Sequence, residues 1–118
     1  MHRFEELIIW QKAMNITEEV YLLSAEFPKE EKFGLKSQIR RSAVSIASNI
    51  AEGAGRNTNG EFRNFLSMAS GSSDELYTQL LLAYRLKLVQ QERVKNILTN
   101  VKEVQKMNYA LIKSLKQQ

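Results

Sequence analysis

A single proline, Pro28, interrupts this chain of 118 residues, and glycine occurs only five times. So few breakers favour long helices over a many-stranded sheet. The apolar periodicity agrees. Ile9, Ala13, Ile16, Val20, Leu23 and Phe27 recur at alternating spacings of four and three, a helical seam of period 3.5. Leu7, Trp10, Met14, Thr17, Tyr21 and Ser24 form a second row beside it. The first helix, expected over residues 5–26, therefore presents a wider apolar face than one intramolecular contact needs. That width predicts a homo-oligomer.

Phe27-Pro28 marks the first break, and Pro28 suits the opening turn of a second helix over residues 29–54. Its apolar row is Leu35, Ile39, Ala43, Ile46, Ile50 and Ala54, and small residues fill its later half, permitting close helix approach. Gly55 fits a left-handed C-cap. Thr58-x-x-Glu61 has capping-box spacing for a third helix over residues 59–86. Phe62, Leu66, Ala69, Leu76, Leu80 and Ala83 form its inward stripe, and Gly71 in mid-helix predicts a close contact. The third break, near Leu88-Val89-Gln90, is weakly signalled. A fourth helix over residues 91–115 carries Val94, Ile97, Val101, Val104, Asn108, Leu111 and Leu115, with Asn108 the one polar member, able to set register or oligomer state. Four such helices with short loops predict an all-α fold: one domain spanning residues 1–118, built as an antiparallel up-and-down four-helix bundle.

Composition narrows the function. Cysteine is absent and histidine occurs once, at His2, on a terminus expected to fray. Thiolate metal sites, histidine metal sites and catalytic triads are thereby disfavoured. No Glu-x-x-His pair exists for a di-iron bundle. Gly53-Ala54-Gly55-Arg56 lacks the Gly-Lys-Ser/Thr end of a phosphate loop. The expectation is a protein that is not an enzyme and needs no cofactor or metal. A helix-turn-helix DNA reader over Gln38–Arg56 would require a turn within residues 40–50, where helical periodicity is unbroken. No apolar run spans a bilayer, and Glu5 and Glu6 spoil a secretory signal, so a soluble cytoplasmic protein is expected.

The net charge of +4 is unevenly spread. Residues 1–28 carry two Lys/Arg against five Glu, whereas residues 87–118 carry seven Lys/Arg against two Glu. Faces of opposite sign can pair between subunits or meet a polyanion. Lys36 and Arg40 on the second helix, with Arg93, Lys95, Lys102, Lys106 and Lys113 on the fourth, are the candidate nucleic-acid contacts. No RRM-type aromatic signature or KH-type clamp is present, so base-specific readout is not indicated. A second polar row, Gln38, Arg41, Ser45, Asn49, Glu52 and Arg56, flanks the apolar face of helix two, and helix three offers Glu75 and Gln79. If the rows meet, Arg41 with Glu75 or Arg56 with Glu52 would pair. This mixed stripe of small and amide residues is the candidate interface.

Several runs carry a resemblance to a known family: Ile9-Trp10-Gln11-Lys12-Ala13, Phe27-Pro28-x-Glu30, Gly34-Leu35-x-x-Gln38-Ile39-Arg40-Arg41 and Ser48-Asn49-Ile50-Ala51-Glu52-Gly53. Ala69-x-Gly71-Ser72 and Glu75-x-x-x-Gln79-Leu80 continue it. Over nearly the whole chain the sequence resembles the four-helix bundle proteins encoded in intervening sequences of bacterial 23S rRNA genes. That family is similar to the accessory proteins of diversity-generating retroelements, basic pentamers that act with a reverse transcriptase and nucleic acid. The resemblance implies a ring-shaped homopentamer and carries no catalytic residue over. Two partner classes follow. One is RNA or a ribonucleoprotein held by the basic faces; the other is a protein such as a polymerase, with no direct nucleic-acid binding.

Overall fold

The computed structural model of the chain describes residues 2–31 and 34–116. Four α-helices follow in order: α1 (Ile8–Ser24), α2 (Leu35–Ala54), α3 (Asn59–Arg85) and α4 (Gln91–Lys116). There is no strand among the described residues. The helices pack side by side in a body of 47 × 22 × 20 Å. Neighbours are α1/α2, α2/α3, α3/α4 and α1/α4, while the α2 and α4 backbones stay apart on a diagonal. One apolar core draws on all four helices. Ile16, Ile46, Leu76 and Val101 are each buried to within 1% of completeness, and Phe62 is the largest fully buried side chain among the described residues.

Helix starts differ from the periodicity where the backbone leaves the helical region. Residues Phe4–Glu6 form a separate 3₁₀ turn, and Leu7 is extended, so α1 begins at Ile8 rather than at residue 5. Phe4 packs edge-on against Trp10, with ring centroids 5.2 Å apart. His2, ahead of this turn, is in contact with the body of the bundle: its backbone N–H donates to the Ala54 carbonyl at 2.8 Å and its ring lies 5.1 Å from that of Phe62. Between α1 and α2, Lys29–Glu31 form a second 3₁₀ turn, and Gly34, with ψ of −115°, precedes the first residue of α2. Helix two therefore does not run continuously from residue 29. Residues 32 and 33 of that expected span lie outside the described residues.

The remaining caps show which side chains end each element. Thr58 Oγ1 accepts the Glu61 backbone N–H at 3.1 Å, as the capping-box spacing predicts. Gly55 is right-handed (φ −84°), not the left-handed residue expected there. The left-handed C-cap belongs to Lys87, at φ 58°. Beyond α3, the Leu88 N–H donates to the Ala83 carbonyl and the Lys87 N–H to the Tyr84 carbonyl, each at 3.1 Å, which is a Schellman closure. A lysine in the position usually held by glycine explains why the third break was faint in the sequence.

Close approach of α2 and α3 rests on Gly53. A Cβ added there would lie 2.7 Å from Phe65 Cβ and 2.9 Å from Phe62 Cδ1. Gly71 shows the opposite: nothing lies within 4 Å of an added Cβ, so it marks no close contact within the chain. The expectation attached to Gly71 belongs to Gly53.

Candidate nucleic-acid interface

The candidate cations divide by what already holds them. On α4, Lys95, Thr99, Lys102, Lys106, Tyr109, Lys113 and Lys116 recur at spacings of four and three, so they share one face. Every one of them is exposed, Tyr109 to 70%. Between Lys95 and Lys116 this row holds no carboxylate, and Glu92 extends it one turn toward the start of α4. Lys95 reaches Glu92, one turn back, at 3.7 Å. Lys102 Nζ lies 4.4 Å over the Tyr77 ring of α3. Lys106 and Lys113 have no carboxylate partner among the described residues.

Arg93 sits elsewhere on α4. Its guanidinium pairs with Glu26, beyond the end of α1. That contact is the end of a polar seam between α1 and α4: Asn100 Nδ2 donates to Glu19 Oε1 at 3.2 Å, and Lys12 Nζ meets Glu103 at 2.6 Å. Opposite charges on the first and last helices therefore pair partly within one chain. The seam was readable as the seven-residue recurrence of Lys12, Glu19 and Glu26, which the apolar rows overshadowed.

Lys36 and Arg40 line a different feature, a groove of about 640 Å³ between α1 and α2, together with Tyr21, Ser37, Arg41, Val44 and Ser45. Arg40 is held in place. Its Nε donates to Ser24 Oγ at 2.8 Å, its Nη2 to the Tyr21 carbonyl at 3.2 Å, and its guanidinium lies 4.4 Å over the Tyr21 ring. Tyr21 and Ser24, read from the sequence only as apolar-row positions, are what orient this arginine.

The polar stripe meets its counterpart on α3 in a second groove, of about 400 Å³, lined by Gln38, Arg41, Ser45, Glu75 and Gln79 with Ser42 and Ser72. Ser45 Oγ and Ser72 Oγ lie 2.8 Å apart, joining the helices. Asn49 Nδ2 donates to the Ser45 carbonyl at 2.9 Å and lies 3.0 Å from Ser45 Oγ. The two rows thus come together, but Arg41 and Glu75 form no ion pair among the described residues. Gln79 Oε1 is buried without a hydrogen-bond partner. Of the two expected pairs, Arg56 with Glu52 is present, at 3.5 Å, and Arg56 also covers the Phe65 ring at 4.5 Å.

Among the described residues no cluster of three or more His, Asp or Glu is placed to hold a metal ion. None of the described helices is long and apolar enough to cross a membrane.

Comparison with known proteins places this geometry. No curated protein matches the chain. A solved structure at 1.70 Å, of a protein of unknown function from the S23 ribosomal protein family of Bacteroides thetaiotaomicron VPI-5482, is similar in fold. It shares 24% identity, covers 90% of this chain and 99% of its own, and superposes with a TM-score of 0.81. Residues 5–110, which take in α1, α2, α3 and most of α4, match the 23S rRNA-intervening sequence protein family, and the chain belongs to that family.

Proposed function

We propose that the chain is a non-enzymatic, oligomeric helical module of the cytoplasm that binds RNA or a ribonucleoprotein through the exposed lysine face of α4. The observation that carries this reading is the run from Lys95 to Lys116: five lysines, one threonine and an exposed tyrosine on a single row with no carboxylate inside it. Over about 21 residues at 1.5 Å each, the face is roughly 32 Å long, enough to meet several phosphates. Lys102, Lys106 and Lys113 are its central contacts, Lys95 its outer one. Arg93, tied to Glu26, contributes less than the sequence suggested.

The subunit in this reading is one domain, an antiparallel up-and-down bundle. The cross-helix partners support that direction. Along α1 and α4, Lys12, Glu19 and Glu26 meet Glu103, Asn100 and Arg93, one rising as the other falls. The polar stripe of α2 and α3 is the proposed subunit contact, within a ring of five. Arg41 and Glu75, in no ion pair among the described residues, pair across the interface, and exposed Met68 and Leu82 of α3, with Leu86 at its C-cap, supply apolar area. Those apolar side chains also favour the second reading, an accessory protein whose partner is another protein, such as a polymerase.

The deciding experiment is binding of nuclease-treated protein to a structured RNA hairpin over a salt series. The expected result is a log–log salt slope corresponding to about four phosphates. No binding at low salt overturns the RNA reading. Retention of a protein partner after RNA removal then favours the second.

A further inference from the structure

The groove between α1 and α2 has a chemistry different from that of the α4 face. Among the described residues its lining side chains include three cations, Lys36, Arg40 and Arg41, and no carboxylate. It opens at the first turn of α2, where the helix dipole adds positive potential. One wall is preassembled: the Arg40 guanidinium lies 4.4 Å over the Tyr21 ring centroid and is anchored by Ser24. Tyr21 nevertheless stays 43% exposed. Val44, 41% exposed, forms an apolar floor.

We infer that this groove is a binding site for an unpaired nucleotide of single-stranded RNA. The base stacks against the paired Tyr21 and Arg40 side chains, and Lys36 takes a flanking phosphate, while Arg41 stays in the subunit contact. Three physical points support the assignment. Unpaired bases stack on aromatic rings and on guanidinium planes, and this site offers the two in contact with each other. Arg40 is already ordered by two hydrogen bonds, so little rotamer freedom is lost on binding. Those bonds use Nε and one Nη2 hydrogen, leaving the rest of the guanidinium fork for a ligand. Because α2 and α4 lie on a diagonal, this site is separate from the lysine face, so one RNA would present a paired segment to α4 and an unpaired one to the groove.

The inference rests on the RNA-binding reading, and the test separates the two. Affinities of a fluorescent octauridylate and of a fully paired hairpin are measured for the full chain and for Tyr21→Leu, Arg40→Lys and the double variant Lys106→Gln/Lys113→Gln, each first shown to melt as the parent does. Tyr21→Leu and Arg40→Lys should weaken the octamer by about five- to tenfold, the loss of one stacked base, and leave the hairpin within about twofold. The lysine variant should do the reverse. A second readout needs no variant: uridine monophosphate should shift the NMR signal of the Arg40 Nε–H, which Ser24 holds. Hairpin binding together with an octamer affinity indifferent to Tyr21 and Arg40 and an unmoved Arg40 signal overturns the groove site alone. Failure of the full chain to bind either RNA overturns the RNA reading with it.

Discussion

Asn108 of α4 donates its Nδ2 hydrogens to the Leu66 carbonyl of α3 at 2.8 Å and to Ser70 Oγ at 2.6 Å, inside the α3–α4 contact. The residue is 2% exposed, and its Oδ1 has no partner. It therefore locks the register of two helices of the same chain by donation alone. Asn108→Asp should be far more damaging than Asn108→Leu, because a buried carboxylate would face the Leu66 carbonyl with only the Ser70 hydroxyl able to donate to it. Urea denaturation should show a loss of more than about 2 kcal/mol for the aspartate, and a smaller loss for leucine. Equal losses would mean that the amide only fills space.

Gly53 and Gly71 should respond to alanine with opposite signs. At Gly53 the methyl meets the Phe65 Cβ at 2.7 Å, and the α2–α3 contact must open, at a cost of about 1–3 kcal/mol. At Gly71 the methyl enters open space, and the better helix former should stabilise the protein by about 0.5–1 kcal/mol. Thermal midpoints of the two variants test both statements. A loss on Gly71→Ala would indicate that a neighbouring subunit covers that position.

Lys87→Gly should raise the melting temperature. The lysine sits at φ 58°, where a Cβ is strained, while its backbone completes the Schellman closure of α3. Relief of that strain, less the added freedom of the unfolded chain, leaves a gain of about 0.5–1 kcal/mol. An unchanged or lowered midpoint would show that the loop to α4 needs the lysine side chain.

The basic residues should sort by partner. Arg93→Gln breaks a part-exposed pair with Glu26 and should reduce stability by less than about 1 kcal/mol, with little effect on RNA affinity. Lys113→Gln should leave stability unchanged and flatten the salt dependence of hairpin binding by about one phosphate. Parallel melts and salt titrations distinguish the two. A flattening by Arg93→Gln equal to that by Lys113→Gln would place the RNA across the α1–α4 seam instead.

The helical rows and their buried faces were legible because period 3.5 is a local property: Ile9 to Phe27 and Val94 to Leu115 carry it in sequence order. The Thr58 cap was equally local. What was misread depended on distance in space. Gly53 and Gly71 both interrupt helical runs, and only the presence of Phe65 beside one of them tells them apart. Lys87 carries no left-handed signature, since its φ is imposed by the turn from α3 into α4.

The candidate cations follow the same division. That Lys95, Lys102, Lys106 and Lys113 share a face was determined by the sequence itself, through their spacing on an unbroken helix. That Arg93 is spoken for by Glu26, that Arg40 is clamped between Tyr21 and Ser24, and that Arg41 and Glu75 line one groove without touching were decided only by tertiary packing. Helix periodicity sets which side chains look the same way. The packing of one helix against the next sets what they meet, and a cation's availability to a phosphate depends on whether a neighbouring helix has already supplied its counter-charge.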